Sequence, residues 1–169
     1  MPSAPLPPDL VSVGAACGAL LRNRGETVSV AEGSAGGLIS AALLATPGAS
    51  AYYLGGSVIY TGRALTGMLD GLVERPSPLQ GASEPWVLHL ARATCAHVRS
   101  DWGVGEGGAA GPGGNPYGDP SGHGWAAAVG PEGAVRTRHT LTGLDDREAN
   151  MVAFAQAALE TLRDALESV

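Results

Sequence analysis

TVSVAEGSAGG, residues 27–37, joins a short β-branched run to a Gly/Ser turn and then to an apolar stretch of helical character. Thr27 to Ala31 reads as a buried strand, and Ser34 or Ala35 as the opening of a helix that runs to about Leu44. A strand that turns through glycines into a helix is a common place to bind an anion or to mount a nucleophile. Working outward, Leu10, Val13, Cys17, Leu20 and Leu21 recur at helical spacing, and Gly25 supplies a stop. The Pro-rich residues 1–8 read as a loose arm, and residues 9–169 as one domain.

Downstream, Pro47-Gly48 marks a turn and Tyr52–Tyr60 reads as a strand. Gly55-Gly56 inside that strand predicts a bulge or a close backbone approach. Residues 62–70 make a short helix at best, and 72–82 a loop. Ser83-Glu84-Pro85 looks like a helix start whose inner stripe is Val87, Leu90, Ala91, Thr94, Val98 and Trp102. The stretch from Gly103 to Gly124, GVGEGGAAGPGGNPYGDPSGHG, reads as one long loop. A loop of that length in a compact domain is usually functional or mobile. Trp125–Val129 and Ala134–Leu141 predict an antiparallel hairpin, and a last helix starts at Asp145 or Asp146 with Met151, Ala155, Leu159, Leu162 and Leu166 on one face. Helices that alternate with strands, closed by a hairpin, predict an α/β fold: three layers, α/β/α, around a mixed, mostly parallel sheet.

Composition narrows the function. The chain has 169 residues, 44% hydrophobic and 15% charged, which suits a globular core. No apolar run approaches the ~20 residues of a spanning helix, and the N-terminal stretch lacks a signal-peptide pattern. No membrane association and a cytoplasmic location are therefore expected. The net charge of −6 argues against nucleic-acid binding, which needs a basic face. Cys17 and Cys95 are far apart in helix-like patterns and read as two buried thiols. His89, His97, His123 and His139 show no metal-ligand spacing, so neither a metal nor another cofactor is expected. All ten basic residues are arginine. Without lysine, no lysine base or Schiff base is available.

Four stretches resemble the C-terminal domain of the CinA family (competence/damage-inducible protein A), which also occurs free-standing as a nicotinamide-nucleotide amidohydrolase. AEGSAGG, PGASAYYLGGSVIYTGRAL, GASE and AAGPGG are similar, in order and spacing, to the family's AESCTGG, PGASxxFxGGxVxYSNxAK, GAVSE and TGIAGPGG. The resemblance spans about Leu20 to Leu159. It implies conversion of nicotinamide mononucleotide to nicotinate mononucleotide and ammonia by a serine that a lysine activates. A serine hydroxyl is a poor nucleophile until a base takes its proton, and a lysine can do so only with a lowered pKa.

This chain departs from that pattern. Gly33 stands at the serine position and Leu65 at the lysine position. Gly107 replaces the threonine of TGIAGPGG, and Gly62 the asparagine of YSN. Ser34, next to Gly33, reads either as a helix cap or as a shifted nucleophile, with a Ser34–His123 pair as one form of the latter. Glu32 keeps its family position and is a candidate ligand contact. Gly36 and Gly37 read as backbone anion donors or as close packing. Gly111, Gly113 and Gly114 read as pocket lining or a backbone nest, and Tyr60 as a ligand contact or a core aromatic. Arg63 and Arg147 are candidate phosphate partners. The expectation is a degenerate relative that keeps nucleotide binding, with nicotinamide mononucleotide as the model ligand, and that forms a homo-oligomer as the resemblance implies. The alternatives are an amidohydrolase rebuilt around Ser34 and a structural module with an empty pocket.

Overall fold

Val28–Glu32 is buried along its whole length, as its apolar β-branched character predicts, and the rest of the sheet is laid against it. The computed structural model describes residues 6–77 and 80–169. In chain order it forms α1 (Pro8–Arg24), β1 (Val28–Glu32), α2 (Leu38–Leu44), β2 (Tyr53–Val58), α3 (Gly62–Met68), α4 (Glu84–Val98), β3 (Trp102–Gly108), β4 (His123–Val129), β5 (Val135–Leu141) and α5 (Arg147–Glu167). The five strands make one mixed sheet in the order β2-β1-β3-β4-β5. β1 is parallel to both β2 and β3, whereas β3–β4 and β4–β5 are antiparallel.

Helices cover both faces. On one face, Leu10, Cys17 and Leu21 of α1, Ile39 and Leu43 of α2, and Leu159, Leu162 and Leu166 of α5 pack on Val28, Val30, Trp102 and Val104. On the other, Val87 and Ala91 of α4 meet Ala127 and Val129, and Leu65 of α3 packs with Ala31, Ile59 and Leu90. β1 leads outward to β2 while β3 leads the other way to β4. The crevice above the carboxyl ends of β1 and β3 is thus a topological switch point, where open α/β sheets bind ligands.

Three expectations need correction. The stretch after Trp102 is not a loop: Trp102–Gly108 is a central strand, and the irregular segment begins only at Ala109. Nor does Trp102 belong to α4, which ends at Arg99 in the left-handed region and leaves Trp102 to pair with Val28. The glycines of β3 serve packing. A Cβ on Gly103 would lie 2.0 Å from the Ala91 carbonyl oxygen, and one on Gly105 2.0 Å from that of Val87. A glycine-rich run that loop reasoning takes for irregular backbone is here the track on which a helix lies. Third, α2 starts at Leu38, because Gly36 (φ 66°) and Gly37 (φ 103°) hold left-handed geometry that ends regular helix before it. The glycines expected inside β2 do mark a shift of register with β1, between Val28/Tyr53 and Ser29/Gly55.

These contacts set an expected contrast. Gly105→Ala should destabilise by on the order of 3 kcal/mol in urea unfolding, since the added methyl meets helix backbone and not a movable side chain. Gly55→Ala, with nothing within 4 Å of its Cβ, should change stability by less than about 1 kcal/mol. Equal effects would show that α4 is free to lift from the sheet.

Candidate active site

Two buried carboxylates build the turn after β1. Glu32 and Glu106 are register partners on adjacent parallel strands, so their side chains share a face of the sheet, and both are nearly inaccessible to solvent. Glu32 accepts hydrogen bonds from the backbone N–H groups of Gly37 (2.9 Å), Ile39 (3.1 Å) and Ser40 (3.1 Å) and from the Ser40 hydroxyl (2.6 Å). Glu106 Oε2 accepts from the N–H groups of Gly33 (3.0 Å) and Ala35 (2.9 Å). The N–H groups of Gly37, Ile39 and Ser40 at the start of α2 are therefore taken by the protein's own Glu32, so Gly37 does not offer its N–H to an anion.

Burial pushes the Glu106 carboxyl up to about 7, helped by the neighbouring Glu32 and opposed by backbone N–H donors of the turn, that of Ala35 most. Its second oxygen, Oε1, is buried without a partner. Glu106 was missed in the sequence because it sat inside the supposed loop. The signal was present: Val28-Ser-Val-Ala-Glu32 and Trp102-Gly-Val-Gly-Glu106 share one alternation and one terminal glutamate.

Ser34 is neither a helix cap nor paired with a histidine. Its hydroxyl accepts from the N–H of Gly108 (2.9 Å) and donates to the carbonyl of the same residue. It ties the turn after β1 to the end of β3. His123 instead donates through Nε2 to the carbonyl of Ala82 (2.8 Å), and its Nδ1 lies 3.0 Å from His139 Nε2. His89 is buried, with Nδ1 on the Glu74 carbonyl.

Above the carboxyl ends of β1, β2 and β3 opens a pocket of about 240 Å³. Gly33, Ser34, Gly107 and Gly108 form its floor, residues 59–62 one side, and Gly81, Ala82, Trp86 and Tyr117 the other. Three positions where the resemblance implies polar side chains, residues 33, 62 and 107, are thus brought to one cavity as glycines. A Cβ at Gly33 would stand at ordinary contact distance, 3.4 Å from the Glu106 carbonyl oxygen and 3.5 Å from that of Ile59. At Gly107 it would meet the Trp86 indole at 3.1 Å, so Trp86 has taken up that space. Leu65 is fully buried among Ala31, Ile59 and Leu90 and does not line the pocket.

At the rim, Arg147 donates to the Gly111 carbonyl (2.7 Å) and to the Tyr60 hydroxyl (2.9 Å), which brings three of the expected site residues together. Tyr60 is 65% exposed, against the core alternative. The Gly113 N–H is taken by Asp145 (2.9 Å), and a Cβ on Gly114 would lie 2.4 Å from the Asp119 carbonyl oxygen, so this loop is pinned and not an open nest. Arg63 lies exposed in the first turn of α3, outside the pocket lining. Cys17 and Cys95 are unbridged. Burial pushes the Cys17 thiol up to about 12 and raises that of Cys95, which is half-buried and not buried as expected. Among the described residues no group of three His, Cys, Asp or Glu could hold a metal, and no helix is long and apolar enough to cross a membrane.

A mixed sheet with this switch-point pocket, and a turn cradled by β3, defines the class to which the comparisons assign the chain. Residues 11–166 match the CinA C-terminal domain, and the chain belongs to that family. It is similar to CinA-like proteins of Parasynechococcus marenigrum (34% identity over 86% of this chain and 35% of the relative) and Synechocystis sp. PCC 6803 (33% over 93% and 38%). The chain therefore spans little more than a third of the length of these relatives. Among solved structures it is similar to the competence/damage-inducible protein CihA of Agrobacterium tumefaciens (TM-score 0.87, 29% identity, 96% of this chain and 98% of that one). A CinA-superfamily protein of Klebsiella pneumoniae aligns with TM-score 0.85 at 25% identity, over 95% of this chain and 99% of that one.

Glu106 gives a pH signature with a definite sign. Its folded value, about 7, is above the ordinary 4.5, so between those values the native state holds a proton that the unfolded chain has lost. Its contribution to stability therefore falls as pH rises from about 4.5 to about 7. Glu106→Gln, which mimics the protonated acid, should lack this slope and become the more stable protein above pH 7. Parallel pH profiles for the two proteins would remove the assignment. Ser34→Ala should cost about 1–3 kcal/mol, because the Gly108 N–H loses its partner.

Proposed function

We propose that this CinA C-terminal domain binds a pyridine nucleotide without hydrolysing it. The observation that carries the reading is the state of the pocket floor. Gly33 has no hydroxyl, and Leu65 has no amine and lies in the core. The one serine at hand has both its hydrogen-bonding roles committed to Gly108. Acyl transfer needs a nucleophile with a base in reach, and Ser34 faces a backbone N–H and a carbonyl where a base would have to be. The cavity itself persists, with aromatic walls inside and Arg147 at the rim, a guanidinium suited to a phosphate oxygen. A nucleotide whose ring enters the cavity and whose phosphate stays at the mouth fits this order of groups.

The same reading includes location in the cytoplasm and self-association. β2 forms an edge of the sheet, its sequence YLGGSV carries no charge, and Leu54 and Val58 are 47% and 41% exposed. Edge strands without charges are open to pairing with another chain. Sedimentation should therefore report a species larger than the 16.9 kDa monomer, and Leu54→Lys should shift it downward.

The direct test incubates the protein with nicotinamide mononucleotide and follows ammonia, nicotinate mononucleotide and, by calorimetry, binding. The expected result is binding without turnover. Turnover that Ser34→Ala abolishes would instead establish a hydrolase rebuilt on Ser34, and absence of binding would establish a structural module. Gly33→Ser with Leu65→Lys should not restore an efficient enzyme. Serine fits at 33, but the second change places an amine among Ala31, Ile59 and Leu90, and Gly62 and Gly107 still lack side chains.

A further inference from the structure

The cavity has an electrostatic character of its own. Among the described residues no charged side chain lines it. Three aromatic residues do, Tyr60, Trp86 and Tyr117, and the two tyrosines are largely exposed at the mouth. Aromatic faces attract cations, most strongly where no solvated anion competes. With glycine at position 33, the carbonyl oxygens of Glu106 and Ile59 lie within 3.5 Å of where a side chain would shield them. Behind the same turn stand the carboxyls of Glu32 and Glu106, bonded through the backbone of Gly33, Ala35 and Gly37. Carbonyl oxygens and aromatic walls favour positive charge inside. The cationic Arg147 is held outside at the rim, on Gly111 and Tyr60.

Resting on the nucleotide reading above, we propose that this pocket selects by ring charge. It takes a planar cationic ring, the oxidised pyridinium, in preference to the uncharged dihydropyridine of nearly the same shape and size. The protein then reports on the oxidised form of its ligand, and the phosphate at the rim contributes equally to both forms.

Calorimetric titration with nicotinamide mononucleotide and with its reduced dihydro form tests this. The oxidised form should bind about ten-fold more tightly, the scale of one to two cation–aromatic contacts at a partly exposed site. Trp86→Leu should bring the ratio towards one. Tyr117→Leu, at an exposed loop position, should do the same in a protein whose folding is not in question. A second pair without phosphate, the 1-methylnicotinamide cation and neutral nicotinamide, should show the same preference. Equal binding of the two mononucleotides overturns charge selection and leaves the nucleotide reading standing. A preference that survives both aromatic substitutions overturns the assignment to these walls. Binding of neither mononucleotide overturns both readings.

Discussion

Everything at the strand ends depends on how five backbone N–H groups are satisfied. Those of Gly33, Ala35, Gly37, Ile39 and Ser40 all point inward from the turn that leaves β1, and buried N–H groups without partners are costly. Two glutamates from neighbouring strands meet them, Glu106 the first pair and Glu32 the other three. Burying two carboxyls side by side is unfavourable in itself, and here the donors offset much of that cost. The proton that Glu106 keeps near neutrality relieves the rest. The turn is thereby fixed on both sides, with Ser34 clamping it once more to Gly108.

A turn fixed from behind leaves the residues on the cavity side free to vary. Its glycines do not leave the pocket slack, because shape is maintained by groups that do not face the cavity. Glycines stand at 33, 62 and 107, where the resemblance implies polar side chains, and the supports beneath the cavity surface do not depend on them. Trp86, which occupies the space beside Gly107, adds an aromatic wall where a polar side chain is implied by the resemblance. The cavity surface is thus aromatic and carbonyl-lined over a frame held by buried groups.

The sequence was informative wherever periodicity or punctuation reflects one element at a time. β1, α1, α5 and the closing hairpin follow from apolar spacing, and the family follows from four short stretches in order. Reasoning failed where residue choice answers to a neighbour far along the chain. Gly103 and Gly105 read as loop glycines because nothing local shows that α4 lies across them. Gly36 and Gly37 read as ligand donors because nothing local shows that Glu32 folds back onto their turn. Ser34 looked like a cap, since the bond that defines it goes to a residue 74 positions away. Arg147, Tyr60 and Gly111 were each identifiable separately, but only the fold brings them into one contact.

The glycine track under α4 sets the position of the pocket wall. Gly103 faces Ala91 and Gly105 faces Val87, so two residues of strand match four of helix, with α4 running antiparallel to β3. Two strand residues rise about 6.6 Å and four helical residues about 6 Å, so the spacings nearly coincide. The helix is indexed on the strand like a ruler against a scale, by main chain on main chain, and sliding or rolling it would put the glycines out of step with the carbonyls they accommodate. Trp86 sits one residue from the last mark, next to Gly107, which continues the same series. The aromatic wall is therefore located by backbone dimensions, which vary far less with temperature or sequence than side-chain packing does.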